Sequence, residues 1–205
     1  YFLFFSPTFR VEKIIVSGNE KVAQEDIEAL VGQNLENRVL FFKTKSIFSV
    51  DLGRIKKDIL AKYPQIAEVE ANRGFFDAIK VEITERQAVA VWCNQSCFLL
   101  DGEGIIFEQV QGTGPGLFIV RNESAEGELG DKKIEKALLS QVLEIKTKTE
   151  GAAGVPVKEA LPASEERLNL KTAEGWQIYF NLKGDLDWQL TELKLVLDKQ
   201  ISPKK

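Results

Sequence analysis

Pro64 to Trp92, PQIAEVEANRGFFDAIKVEITERQAVAVW, is the stretch that narrows the choice of fold most. Ala67, Val69 and Ala71 alternate with Glu68, Glu70 and Asn72; further on, Ile79, Val81 and Ile83 alternate with Lys80, Glu82 and Thr84. A period of two puts one set of side chains on a covered face and the other in water, so both runs read as half-buried strands. Arg73-Gly74-Phe75-Phe76-Asp77 is long enough for a hairpin loop, and Gly74 can supply the positive φ such loops often need. Glu85-Arg86 closes the hairpin before a second apolar run, Ala88 to Trp92.

A sheet with one apolar face needs a cover, and the preceding residues supply it. Phe9 to Val16 reads as a strand ended by the turn residues Ser17-Gly18-Asn19. Gln24 to Val31 reads as a helix, with Glu25 and Asp26 at its positive end, Ile27, Leu30 and Val31 on one face, and Gly32 as its stop. Residues 33–50 form a connector anchored by Leu40, Phe41, Phe42, Ile47 and Phe48. A second helix opens at Asp51 or Ser49, lines one side with Leu52, Ile55, Ile59 and Leu60, and cannot pass Pro64. The order strand-helix-helix-strand-strand describes a small α+β domain in which two helices cover one face of a three-stranded sheet.

From Gln87 the texture turns β-rich. Strands are expected at 88–93, 97–100 and 105–110, the last two joined by Asp101-Gly102-Glu103-Gly104, and then at Leu117 to Val120. Asp131 is placed to cap a long helix to about Lys148, with Ile134, Leu138, Val142 and Ile145 on one face. Val155 to Val157, Arg167 to Leu170 and Trp176 to Phe180 are further strand candidates. Asp187 can cap a last helix striped by Leu186, Leu190, Leu193 and Leu197.

Composition removes several classes of function. A net charge of −4, without a clustered basic surface, argues against a nucleic-acid partner. The chain has no histidine, so a histidine-based triad is excluded and the commonest metal ligand is missing. No cofactor is expected. Glu165-Glu166 and Asp185/Asp187 are the nearest approach to catalytic carboxylate pairs, and adjacent acids on an extended chain face opposite ways, so they read as surface acids. The glycines at 112, 114 and 116 lack the following helix that a phosphate loop requires, and read as a loop. Cys93 and Cys97 would face one another across a three-residue turn, where a disulfide and two free thiols are both open.

The missing methionine implies that the chain begins inside a longer sequence. Tyr1-Phe2-Leu3-Phe4-Phe5 is too short to cross a bilayer but reads as the last turn of a spanning helix, with its aromatics at the interface. The competing readings are an exposed apolar terminus and a first core strand.

The order of elements resembles a POTRA domain, and the wording resembles the bacterial division family FtsQ, called DivIB in Gram-positive organisms. The residues that carry it are Phe9-x-Val11-x-x-Ile14-x-Val16-x-Gly18-Asn19, then Ile47-Phe48-x-Val50-Asp51-Leu52. Ile66, Val69 and Arg73 follow, and then Ile79-x-Val81-x-Ile83-x-Glu85-Arg86-x-x-Val89-Ala90. Leu100-Asp101-x-x-Gly104-x-x-Phe107 resembles the hairpin that opens the family's second, β domain. Phe76 departs from the family, which usually has proline in this hairpin.

The resemblance implies three parts: residues 1–7 as the end of a transmembrane segment and linker, 8–86 as the POTRA domain, and 87–205 as the FtsQ-type β domain with two packed helices. The family continues with a further strand that helps bind FtsB, and with the chain stopping at Lys205 that strand is expected to be absent. The implied protein is a single-pass cell-membrane component of the division septum, lying outside the cytoplasm, non-enzymatic, and docking FtsB and FtsL to position septal wall synthases. A free sheet edge is expected at Trp176, Gln177, Ile178, Tyr179 and Phe180; the competing reading has this strand central or covered by the last helix. Two other functions compete: a POTRA module of an outer-membrane assembly or secretion factor that binds client polypeptides, and a cell-wall enzyme.

Overall fold

The structure, a computed structural model, describes residues 6–39, 42–112, 116–121 and 127–201. The fold is α+β, and the chain divides at Arg86 into two compact units.

The first unit contains β1 (Lys13–Ser17), α1 (Gln24–Gln33), β2 (Asn37–Val39), β3 (Phe42–Thr44), α2 (Leu52–Lys62), β4 (Ile66–Arg73) and β5 (Ala78–Glu85). Its sheet has the order β1-β5-β4, with β1 parallel and β4 antiparallel to the central β5. Ile27 and Val31 of α1 and Ile55 and Ile59 of α2 pack in one core with Val16, Val69, Ala71, Val81 and Ile83 of the sheet. Burying each of the larger of these side chains is worth about 1.5–3 kcal/mol. Asp51 caps α2 by accepting a hydrogen bond from the Arg54 N–H at 3.0 Å.

Several residues that carry the family resemblance serve the backbone of distant segments. The buried Glu85 carboxylate accepts hydrogen bonds from the N–H groups of Glu20, Lys21 and Val22 at 2.8–3.0 Å. Gly18, at φ +79°, faces the Ile83 carbonyl so closely that a Cβ would collide with it. Arg73 donates to the carbonyls of Ile47 (2.8 Å) and Val50 (2.9 Å), tying the connector to β4. Arg86 holds Pro64 through its guanidinium at 3.0 Å and Gln65 through its N–H at 2.7 Å.

Several expectations for this unit need correction. The first strand starts at Lys13, because Pro7–Phe9 form a 3-10 turn and Arg10 bridges to Ser46. The connector contains the β2–β3 hairpin, and α1 runs through Gly32 to Gln33. Ala67 is exposed and Ile66 buried, since a register shift between Ile66 and Glu68 turns the start of β4 over. In the β4–β5 loop the positive φ belongs to Phe76, at +55°, and not to Gly74. Proline, with φ near −65°, has no access to that conformation.

The second unit contains β6 (Ala88–Cys93), β7 (Cys97–Asp101), β8 (Ile106–Val110), β9 (Ile119–Arg121), α3 (Lys136–Ala153), β10 (Val157–Pro162), β11 (Arg167–Thr172), β12 (Gln177–Asn181) and α4 (Leu186–Val196). They form one seven-stranded sheet in the order β12-β11-β10-β9-β6-β7-β8. β9 is parallel to both β6 and β10, and the remaining pairs are antiparallel. Trp92, Leu100, Ile106, Val120, Leu168 and Phe180 share a core with Leu139, Val142 and Ile145 of α3. Buried Asp101 accepts from the N–H groups of Glu103 and Ile105, closing the β7–β8 turn.

Asp131 does not cap α3, which starts five residues later; its carboxylate takes the Glu128 N–H at 3.0 Å and pairs with Lys133 at 2.8 Å. The buried stripe of α3 is accordingly Leu139, Val142, Ile145 and Thr149, with Ile134 outside the helix. α4 is capped by Asp185, whose carboxylate accepts from the Trp188 N–H, and Asp187 lies one residue inside. Cys93 and Cys97 face one another in the β6–β7 register and are joined by a disulfide, S–S 2.06 Å.

Two predictions follow from these contacts. Burial pushes the Glu85 carboxyl up, but the N–H groups of Val22, Glu20 and Lys21 together outweigh it and hold the carboxyl below its ordinary 4.5. A depressed folded value means that the stabilisation is complete above the unfolded value and is lost as the pH falls through the folded one. Glu85→Ala therefore costs about 2 kcal/mol at neutral pH, and the gap from the parent narrows as urea melts are taken below pH 4.5. Replacing both cysteines by serine costs about 2 kcal/mol, the chain-entropy value for so short a loop, and the parent gains two hydrogens in intact mass on reduction.

Candidate partner-binding edge

β12 ends the order of the seven-stranded sheet and pairs with β11 alone. An antiparallel ladder bonds every second residue pair and turns the intervening peptide groups away. The phase here is set at the two ends of the strand. The Thr172 N–H donates to the Trp176 carbonyl at 3.0 Å, and the Leu182 N–H donates to the Glu166 carbonyl at 2.8 Å. The peptide groups of Ile178 and Phe180 therefore face β11, and those of Gln177, Tyr179 and Asn181 face outward.

Asn181 has its outward groups satisfied by one side chain. Its N–H donates to Gln189 Oε1 at 2.8 Å, and Gln189 Nε2 donates back to its carbonyl at 3.1 Å. Gln189 lies on α4, so the helix closes the far end of this edge. For Gln177 and Tyr179 no such partner exists among the described residues. At the opposite edge the start of β8 is partnered: the Ile106 N–H donates to the Asp131 carbonyl at 3.0 Å, and the Gly130 N–H donates to the Ile106 carbonyl at 2.7 Å.

The side chains of β12 divide between two surroundings. Phe180 is buried in the core with Ile178 packed against it, whereas Tyr179 is 55% exposed. The Tyr179 hydroxyl donates to Gln177 Oε1 at 2.7 Å, and the Arg167 guanidinium lies 4.5 Å from the centre of its ring. Arg167 is held in turn by Asn169 at 2.9 Å. A shallow cleft of about 430 Å³ lies beside the strand, lined by Ser164, Glu166, Arg167, Tyr179, Asn181 and Gln189 among others. On α4, Trp188 is 60% exposed, while Leu186, Leu190 and Leu193 pack half-buried on the core. An edge of this kind can take up an extended peptide through its backbone, with Tyr179 and Trp188 as side-chain contacts.

Of the expected edge residues, Trp176 precedes the strand and closes the β11–β12 turn, with its N–H donating to Thr172 Oγ1 at 3.1 Å. Gln177, Ile178, Tyr179 and Phe180 lie in β12. Three of the four carboxylates considered for catalysis are engaged elsewhere: Glu166 pairs with Lys183 at 2.7 Å, Asp185 caps α4, and Asp187 pairs with Lys148 at 3.1 Å. Arg121 and Glu159 form a two-bond ion pair at 2.9 and 3.1 Å across β9 and β10. That bonding holds the Glu159 carboxyl below and the Arg121 guanidinium above their ordinary values. Among the described residues no three of His, Cys, Asp or Glu are grouped to hold a metal ion, and no helix is long and apolar enough to cross a membrane. Tyr1, Phe2, Leu3, Phe4 and Phe5 lie outside the described residues. Gln189 was missed from sequence because its role depends on the contact between α4 and β12, eight residues apart, with no local pattern to announce it.

Comparison with known proteins bears on the same chain. Residues 9–86 match the family described as POTRA domain, FtsQ-type. A cell division protein FtsQ from Myxococcus fulvus is 25% identical over 93% of this chain and 65% of its own length. Another, from Neisseria meningitidis, is 34% identical over 57% of this chain and 53% of its own length. The chain thus spans about half to two thirds of these two relatives. The extracytoplasmic domain of the division protein DivIB from Geobacillus stearothermophilus overlaps 58% of this chain and 99% of its own length, at 14% identity and a TM-score of 0.37, too low to carry weight. The first unit thus matches an FtsQ-type POTRA domain, and the chain is similar, through its second unit as well, to bacterial FtsQ cell-division proteins.

Proposed function

We propose that this chain is the extracytoplasmic part of a single-pass, non-enzymatic divisome scaffold. Residues 1–7 end the membrane segment, the POTRA domain of residues 8–86 supports recruitment, and the β domain of residues 87–205 docks the FtsB–FtsL pair that positions the septal wall synthases. Similarity to FtsQ cell-division proteins favours this role over client binding at the outer membrane. The observation that carries it is the outward backbone of Gln177 and Tyr179, unpartnered among the described residues, with the Tyr179 side chain exposed on the strand. An extended segment of a partner adds there as an eighth strand. Its backbone pairs with those two residues, and Gln189 limits how far the pairing runs.

Tyr179→Pro tests the docking mode. The Tyr179 N–H points away from β11, so proline removes an outward donor without breaking the internal ladder, as edge strands tolerate. The variant is expected to keep its melting temperature within a few degrees, lose co-purification with an FtsB fragment by about tenfold or more, and leave a depleted host filamentous. Full binding and normal septa would overturn the reading. Gln189→Ala opens the Asn181 peptide to the added strand, and is expected to strengthen docking by about tenfold or less, the worth of one hydrogen bond.

A further inference from the structure

Beside the partner edge, Arg167 carries a charge that the fold does not use. It opens β11 opposite Asn181, and its guanidinium leans across β12 to lie 4.5 Å from the centre of the Tyr179 ring. Its Nε donates to Asn169 Oδ1 at 2.9 Å, and among the described residues no carboxylate pairs with it. Glu166, its neighbour in sequence, pairs with Lys183 at 2.7 Å.

The register of the last two strands directs this charge at the edge. Arg167, Asn169 and Lys171 of β11 share one sheet face with Gln177, Tyr179 and Asn181 of β12, opposite to the face that buries Leu168, Leu170 and Phe180. Those six side chains include two cations and no acid. Asn169 lies directly opposite Tyr179, so Arg167 reaches the ring along a diagonal. Stacking on the ring and the bond to Asn169 fix the plane of the guanidinium and leave its Nη groups for a further acceptor. A guanidinium held in one plane offers a carboxylate two parallel N–H donors. An eighth strand runs about 4.8 Å beyond β12, and every second side chain of it falls on the face of Tyr179.

We infer that the segment adding to β12 carries an aspartate or glutamate beside Tyr179, and that its carboxylate pairs with Arg167. Charge complementarity selects that residue type. A cationic side chain there meets Arg167 and Lys171 with no acid on the same face, and an apolar one strips water from the guanidinium without supplying an acceptor. Backbone pairing at Gln177 and Tyr179 accepts any extended chain, so Arg167 is the residue that discriminates among them. The inference rests on the strand-addition reading above and adds the chemistry of the partner to it.

Affinity of the purified chain for the FtsB fragment of the docking test, taken at low and at high salt, tests it. Arg167→Gln is expected to keep the melting temperature and to weaken binding about fivefold at low salt, with the difference shrinking as salt screens the pair. Arg167→Glu is expected to weaken it further. Fragments with one acidic residue at a time changed to lysine supply the second arm: one of them is expected to recover binding to Arg167→Glu while losing it to the parent, which a merely structural role for Arg167 would not produce. Equal affinity of parent and Arg167→Glu at low salt overturns the inference, and so does a loss that no lysine fragment recovers. Tyr179→Pro keeps the two readings apart. Weakened binding by Tyr179→Pro with Arg167→Glu unaffected defeats this inference alone, whereas full binding by Tyr179→Pro, or a parent that ignores the fragment, defeats strand addition and this inference together.

Discussion

A backbone N–H or C=O taken out of water must find a partner, and this chain meets that demand with side chains at a few decisive places. Glu85 satisfies three amides of the 20–22 turn, Asp101 satisfies two in the β7–β8 turn, and Gln189 satisfies both groups of Asn181. The first two lie where strands must end and the chain must reverse, so the sheets of both units depend on them. The third lies at the edge where pairing stops. At that edge Gln177 and Tyr179 keep their outward backbone without a partner among the described residues, and it is the chemistry from which a partner site can be built.

The family's motif residues acquire physical meaning in this light. Gly18 and Glu85 are far apart in sequence but belong to one joint: the strand end that Glu85 terminates passes so close to Gly18 that a Cβ has no room. Arg73 and the Ile47–Val50 stretch belong to a second joint, made through two carbonyls. These are structural roles, and the carboxylates among them serve backbone amides or ion pairs. A scaffold for other proteins needs rigid joints and an open edge, and both are features of this chain.

Legibility from sequence differed between elements for definite reasons. The alternation in β5 was read correctly because that strand is central, with one face of it covered along its length. In β4 it misplaced Ala67, since a register shift is a matter of pairing and leaves no mark in composition. The start of α3 was misread for a related reason: Asp131 has the chemistry of a cap, but the tertiary contact of Lys133 with Gly104 holds the chain extended past Ile134. The positive φ at Phe76 broke a local preference that favours the neighbouring glycine.

The sequence by itself determined the class of fold, the two helices and three sheet strands of the first unit and the resemblance to the division family, because periodicity and turn chemistry are local and survive in a linear text. It also located the strand that ends the second sheet. Tertiary structure alone decided which peptide groups of that strand face outward and that Gln189 closes one end of it. Those properties arise from pairing phase and from a contact between a helix and a strand, and neither is encoded at any single position.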